Sequence, residues 1–546
     1  MQLVERRIGL LFALFLAFLA VAVVRATWLS TVKAGELSDR AVSQQVEELN
    51  VPARRGTIFD RRGVELAVSE EAVTVFANPF LIKEPARVAA KLSPLLGRPE
   101  SELLGELANK KTGFVYLKRK LDPTSGERIK KMKLEGIGTV TEPKRSYPQR
   151  ALASQLLGSV GTDGYGLSGL EQSRERMLKG TNGKRRLVKD AMGEPVQIVE
   201  TERSRSGEDV RLTLDAAIQA RTEAVLGQVG QKYRPRGAAA LVMDPRSGQM
   251  LALANWPRVD NNDVGDAPGY ARQNRAVAAN YEPGSTFKAF TVAGALEEKL
   301  IEPQSEFDLP PTLQVADREI RESHPRGQVT LTVGDILAQS SNIGSVKIGM
   351  ELGPQRFDHW VRRFGFGKGT NVDLPGEATG IVPKPSEYSG SSMGNLPIGQ
   401  GIAVTPVQMA TAYSAIANGG VAHPPYIVQG DRRRGRRVLS RRTADRVSSM
   451  LEGVLGPGGT AQEAKVKGYR LAGKTGTAEK ADPRGGYSKD KFVASFIGYA
   501  PVANPRLLVA VMVDEPKGDI FGGTVAAPAF EQIMDFALPY LKIPPR

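Results

Sequence analysis

Tyr281-Glu-Pro-Gly-Ser285-Thr-Phe-Lys288-Ala-Phe290 opens a segment in which Pro283 and Gly284 break the chain and the run ending near Leu296 reads as a helix. Ser285 therefore stands at or just before a helix N-terminus. Exposed amides and the positive end of the helix dipole there favour negative charge on the hydroxyl oxygen and on a tetrahedral oxyanion. Lys288, three positions on, shares the helical face and is placed to reach the Ser285 oxygen. A lysine in water is protonated and cannot act as a base. Flanking Phe287, Ala289 and Phe290 imply an apolar site, where desolvation favours the neutral amine. Taken alone, these residues equally describe a capped helix with a solvated lysine. Isolated copies of such short motifs occur elsewhere, as in Ser488-Lys-Asp-Lys491 and Lys111-Thr-Gly113.

Two further motifs follow in order. Ser340-Ser-Asn342 comes after Leu331-Thr-Val-Gly-Asp-Ile-Leu-Ala, an amphipathic stretch that can end in a polar turn facing a cleft. There Ser340 can relay a proton between Lys288 and an amine, and Asn342 offers a donor and an acceptor to a substrate amide. Lys474-Thr-Gly-Thr477 lies in Tyr469–Ala478, and two strand-like runs follow, Phe492–Ala500 and Arg506–Val513. Together they predict an antiparallel sheet with Lys474 on one strand. Gly476 removes a side chain, so that another backbone can lie close. A peptide can then add as an extra strand, with Lys474, Thr475 and Thr477 available to hold a carboxylate.

The rest of the composition narrows the chemistry. The chain of 546 residues has 3 histidines, His324, His359 and His423, none adjoining a serine in a nucleophile-elbow pattern, so a Ser-His-Asp arrangement has no support in the sequence. With 0 cysteines, thiol catalysis, disulfides and thiolate metal sites are excluded. No His-Glu-x-x-His run supplies zinc ligands, and no cofactor or metal is expected. A lysine-activated serine acting on a peptide-like acyl group is the reading that remains.

On these residues the chain resembles a class B penicillin-binding protein, a peptidoglycan D,D-transpeptidase. Arg54-Arg-Gly-Thr-Ile-Phe-Asp-Arg-Arg-Gly63 resembles the opening of that family's non-catalytic domain, Arg145-Ser-Tyr-Pro148 and Gly169-Leu-Glu171 later markers of it, and Leu212-Thr-Leu-Asp-Ala-Ala-Ile-Gln219 the entry to the catalytic domain. Gly399-Gln-Gly401, Asp514–Gly523 and Ala526-Ala-Pro528 also fit, and the last cluster is most similar to the cell-division and sporulation branch. The resemblance implies Ser285 as acylated nucleophile, Lys288 as general base and Ser340 with Asn342 as second element. It implies Lys474, Thr475 and Thr477 as binders of the stem-peptide carboxylate, with Gly476 between them, and an oxyanion hole from the Ser285 and Thr477 amides. The implied reaction attacks a D-Ala-D-Ala stem, releases the terminal D-Ala and transfers the acyl group to an amine of a neighbouring stem. β-Lactams would acylate the same serine. A polytopic glycosyltransferase of the SEDS type (shape, elongation, division and sporulation) and division regulators are the implied partners.

Ile8 to Val24 is an uncharged apolar run preceded by Arg6 and Arg7. It is long enough to cross a bilayer, and the positive-inside preference exports the remainder. A cleaved signal peptide is the competing reading, from Ala20-Val-Ala22, and an uncleaved anchor is favoured because the run is long for a signal. The expected organisation is multidomain α+β. It comprises a cytoplasmic tail over 1–7, an anchor over 8–25, a helical stalk over 26–50, an elongated non-catalytic pedestal over 51–209, and a penicillin-binding transpeptidase domain over 210–546, an antiparallel sheet flanked by helices. The formal charge of +15 would suit nucleic acid, but export argues against it. Its local extreme, Asp431-Arg-Arg-Arg-Gly-Arg-Arg437, reads as a solvated hairpin tip at Arg434-Gly435 between Tyr426-Ile-Val428 and Val438-Leu439. Three function classes compete: the transpeptidase, a D,D-carboxypeptidase or β-lactamase needing a water route to the acyl-enzyme, and a non-enzymatic sensor or scaffold.

Overall fold

The structure, a computed structural model, describes residues 2–35, 46–189, 195–265, 267–482 and 484–545. Helix α1, Gln2–Thr31, has 30 residues. At the usual helical rise this gives about 45 Å, more than the hydrocarbon thickness of a bilayer. The large apolar side chains from Ile8 to Val24 on it are exposed, and it is the one helix among the described residues long and apolar enough to cross a membrane. Within the helical stalk expected over 26–50, α1 runs to Thr31 and helix resumes at Ala34 and Gly35. Val46–Val51 is a strand instead, whose β-branched ends pair with Gly183–Lys189, and 36–45 lie outside the described residues.

Packing forms two compact units. The first comprises Met1–Arg54, Val73–Pro143 and Gly180–Gly207. Its helices Pro85–Leu96 and Glu100–Leu107 turn Val88, Leu92, Leu96, Leu103 and Leu107 onto Val75, Ile82, Leu117 and Ile129. It also holds an antiparallel three-stranded sheet of Val46–Val51, Gly183–Lys189 and Pro195–Glu202.

The second unit comprises Arg55–Ala72, Lys144–Lys179 and Glu208–Arg546. It does not follow a single cut near residue 210, because two stretches from the 51–209 segment pack with the serine-bearing part. Their Ile58, Leu66, Leu156, Leu170 and Leu178 belong to the large core, and a buried ion cluster ties them together. Glu171, with its side chain wholly buried, accepts from Arg55 Nε at 3.0 Å and from Arg145 Nε at 2.6 Å, while Arg55 Nη1 reaches Glu175 at 2.7 Å. Removing one charge from such a cluster leaves the others uncompensated in low dielectric. Glu171→Ala is expected to cost about 3–5 kcal/mol of stability, read as a lowered urea midpoint. A midpoint matching wild type would show the cluster to be energetically idle.

The catalytic sheet contains β1 (Gly237–Asp244), β2 (Gln249–Trp256), β3 (Ala472–Ala481), β4 (Tyr487–Ala500) and β5 (Leu507–Asp514), all antiparallel in the order β2-β1-β5-β4-β3. The continuous apolar runs of β1 and β5 suit central strands covered on both faces, and β3 is left as an edge. The helices that matter here are α2 (Ala216–Tyr233), α3 (Lys288–Glu297), α4 (Asn342–Leu352), α5 (Pro406–Ala417) and α6 (Ala527–Tyr540). α2 and α6 pack together on the sheet, and α5 with Arg441–Gly453 forms a second helical layer.

The basic run differs from its expected form. Arg436–Arg437 pairs with Val421–Ala422, whereas Tyr426 and Val428 bridge to Gln249 and Leu212. The arginines also do more than face water: Arg436 Nη2 donates to Arg363 O at 2.6 Å, Arg437 Nη1 to Gly419 O and Leu439 O, and Arg433 Nη1 to Asn371 O. Carbonyls that would otherwise be left unpaired in turns are satisfied by guanidinium groups.

Candidate active site

Gly284–Phe287 forms one 3₁₀ turn that runs directly into α3, which places Ser285 in the first turn as its neighbours imply. The turn is held on several sides. Gly284, at φ +53°, donates to Gly399 O at 3.0 Å, and Tyr413 Oη donates to Thr286 O at 2.6 Å. A Cβ on Gly399 would lie 2.3 Å from Gly284 O, so the Gly-Gln-Gly turn has to be bare at that point. Glu282 accepts from Gly401 N and Tyr487 Oη, tying the same turn to β4.

Phe287 and Phe290 stack among Phe357, Phe364, Phe366 and Tyr413. Lys288, between these two rings in the chain, is wholly buried. Burial pulls its pKa from the usual lysine value down to about 7, partly opposed by the nearby Glu322 carboxylate. Lys288 Nζ donates to Ser340 O at 2.7 Å and Asn342 Oδ1 at 2.6 Å, with Ser340 Oγ at 3.3 Å. The direct bond to Ser285 read from the i,i+3 spacing is not among the hydrogen bonds of the described residues. The amine is drawn to the Ser-Ser-Asn turn, which offers three acceptors at one point.

That turn has an unusual backbone. Helix Val333–Ala338 ends, Ser340 adopts φ +61°, and Ser341 caps α4 by accepting from Gly344 N. A left-handed serine is strained unless its surroundings hold it. Glu322 supplies the hold: its oxygens accept from Ser341 Oγ at 2.6 Å, Asn342 N at 2.7 Å and Arg326 Nη2 at 2.6 Å, and Asn342 Nδ2 donates to Arg321 O. The reading from sequence missed Glu322 and gave Ser341 no role. Glu322 lies outside the three motifs, and its contact with Ser341 spans 19 residues. Although burial opposes it, these donors keep the Glu322 carboxyl below its ordinary pKa.

On β3, Lys474 is wholly buried, 3.4 Å from Thr475 O and Oγ1. Burial, and then repulsion from Lys288, lowers its pKa well below the usual value. Thr475 and Thr477 line the cleft, and Lys474 is enclosed behind Thr475. Thr475 Oγ1 bonds Thr460 Oγ1, and Thr477 Oγ1 accepts from Gly522 N. Another backbone does lie close to Gly476. The space that its missing side chain leaves is taken by Ser495 Oγ, Pro283 O and Thr286 Cγ2, so it seats the serine turn against β3.

Ser285 and Thr477 border two lobes. The larger, about 600 Å³, is lined by Glu322, His324, Ser340, Thr460 and Thr475. The smaller, about 390 Å³, is lined by Arg318, Asn342, Gln400 and Glu479. Phe521 borders both. His324 packs against the Phe521 ring at 5.5 Å and makes no hydrogen bond to Ser285 among the described residues. Another cavity, about 620 Å³ beside Asp60, Asp215 and Tyr540, contains none of the three motifs, and its aspartates are engaged in capping α2 and accepting from Tyr540 Oη.

A serine in a first helical turn, a buried low-pKa lysine and a threonine-lined edge strand are groups with which serine acyl transfer can be carried out. Residues 238–535 match the penicillin binding protein transpeptidase domain, and residues 50–212 match the penicillin-binding protein dimerisation domain. The chain belongs to the class B penicillin-binding protein family and is a peptidoglycan D,D-transpeptidase by that membership. It is 33% identical to the probable peptidoglycan D,D-transpeptidase PenA of Neisseria meningitidis over 99% of this chain and 93% of that one. It is 32% identical to the peptidoglycan D,D-transpeptidase FtsI of Escherichia coli over 99% and 92%. Stage V sporulation protein D of Bacillus subtilis is 33% identical over 98% and 86%. Among solved structures, penicillin binding protein 3 of Mycobacterium tuberculosis complexed with aztreonam superimposes with a TM-score of 0.72 at 30% identity, covering 91% of this chain and 98% of that one.

Proposed function

We propose that this protein cross-links stem peptides through an acyl-enzyme on Ser285, with Lys288 as the base. The observation that carries this is the enclosed amine with a pKa near 7, coupled to the Ser-Ser-Asn turn beside an open serine. A neutral Lys288 has two N–H bonds and one lone pair. Ser340 O and Asn342 Oδ1 take the N–H bonds, which leaves the lone pair for a hydroxyl proton. In this reading Ser285 passes its proton to Lys288 directly once substrate seats it, or through Ser340. The same groups return the proton to the departing D-Ala amine and later accept one from the incoming amine. Thr475 and Thr477, with Lys474 behind them, hold the substrate carboxylate, and the Ser285 and Thr477 amides receive the oxyanion.

A transferase is favoured over a hydrolase by Glu322. Two carboxylates line the larger lobe, Glu322 and Glu463; the one bonded to the Ser-Ser-Asn turn, Glu322, has its oxygens occupied by three donors and its pKa lowered, so it is poorly suited to activating water. α1 is proposed as an uncleaved anchor over 8–25 with the remainder outside the cytoplasm, and the non-catalytic domain expected over 51–209 is proposed to be built around 73–143 and 180–207. Septal or sporulation synthesis, with a SEDS-type glycosyltransferase and division regulators beside the anchor, is the cellular setting proposed from the likeness to FtsI and Stage V sporulation protein D.

The test is intact-mass measurement of penicillin acylation across pH. The base works deprotonated, so the rate is expected to be half-maximal near pH 7, to level above about pH 8, and to fall about tenfold per unit below pH 6. The adduct should map to the peptide containing Ser285 and persist. A flat profile would contradict the lysine base, and rapid release would point to a hydrolase.

A further inference from the structure

We propose that the basic face around Arg436 binds a soluble polymer carrying repeated phosphate groups. The proposal stands apart from the serine site and gives a role to the basic run over 431–437.

A cavity of about 430 Å³ in the serine-bearing unit is lined by the cations Arg362, Lys368 and Arg436, and it contains none of the three motifs. Exposed arginines on this face are held by backbone carbonyls. Arg436 Nη2 donates to Arg363 O at 2.6 Å, Arg433 Nη1 to Asn371 O at 3.2 Å, and Arg363 Nε to Val438 O at 2.9 Å. A carbonyl fixes a guanidinium without neutralising it, and the remaining N–H groups stay available to an anion. The carboxylates of the same segments are engaged. Asp373 and Asp431 both pair with Arg174, Asp358 pairs with Arg362, and Glu377, beside Gly369, accepts from Thr370 N and Oγ1. Among the described residues, Arg362 is the one cation lining the cavity that forms an ion pair.

Three cations around one concave space suit a tetrahedral anion, whose oxygens point in several directions, whereas a planar carboxylate fits one fork at a time. Arg363 and Arg433, bonded to the residues that border the cavity, extend the positive charge beyond it. Repeated phosphates can meet them in turn, which favours a chain over a single ion. A lipid surface is disfavoured. No large apolar side chain is exposed among the described residues 361–374 and 405–442, and a site that sits on a membrane couples its charges to inserted apolar groups.

The test follows labelled inorganic polyphosphate binding to the full chain in phosphatidylcholine nanodiscs across a salt series. Saturable binding is expected at about 150 mM salt. Lys368→Gln with Arg433→Gln should weaken it about tenfold, and the fall of log affinity with log salt should become shallower by about 1–2. Lys368→Gln alone, which breaks no hydrogen bond among the described residues, should weaken it about threefold. Lys91→Gln with Lys131→Gln removes the same charge from exposed positions of the other unit and should change affinity by less than about twofold. No saturable binding, an equal loss in the two double variants, or equal affinity for polyglutamate of matched charge would overturn the proposal. So would binding that disappears in discs containing phosphatidylglycerol, which would give the face to a lipid headgroup.

Discussion

Ser285→Ala is expected to yield a folded protein that takes up no fluorescent penicillin, even at high protein and long incubation. The loss is complete because the acyl bond has no other oxygen to form on, whatever the state of the remaining machinery. Stability should change by less than about 0.5 kcal/mol, since the Ser285 hydroxyl makes no hydrogen bond among the described residues and the turn is held by Gly284, Thr286 and Phe287. Gel fluorescence and a thermal melt measure both halves. Labelling at wild-type level would transfer the nucleophile's role to another residue.

Lys288→Arg is the second large effect. The guanidinium stays protonated at any working pH and cannot accept the hydroxyl proton, so acylation should fall by about 10²–10⁴. The enclosed site is fitted to an amine, and an arginine there also risks misfolding. Lys288→Met separates the two effects. It removes a buried cation without adding bulk, leaves Ser340 O and Asn342 Oδ1 unpaired at a cost of about 1–3 kcal/mol, and should abolish acylation to the same extent. Stopped-flow acylation and melting temperature distinguish the cases. Activity retained in the methionine variant would direct attention to His324, which shares the lobe.

The sequence carried the serine turn, the edge strand and the Ser-Ser-Asn turn because each is written in local chemistry: a proline and glycine before a helix, strand-like runs, a polar turn after an amphipathic stretch. What it could not carry is geometry set from a distance. The i,i+3 spacing of Ser285 and Lys288 is compatible with a direct bond, but the acceptors that capture the amine lie 52 and 54 residues away. Glu322 holds the left-handed serine through contacts invisible to any local pattern. Gly476 was legible as a point of close approach, and only packing reveals that the serine turn itself makes the approach. The pairing of the basic run was misjudged for a related reason. Two short apolar flanks look like a hairpin, yet Tyr426 and Val428 are claimed by Gln249 and Leu212.

Because Arg55–Ala72 and Lys144–Lys179 pack with the serine-bearing part, the catalytic body is discontinuous in the chain. Chimeras joined to a relative at one crossover near residue 210 would exchange two pieces of the recipient's own interior along with the rest, and would mismatch Glu171 and its arginines against foreign surroundings. Hybrids meant to swap only the non-catalytic part must carry several junctions, at the seams on either side of 73–143 and 180–207. Over evolutionary time the same topology couples drift in these segments to the enzyme they support.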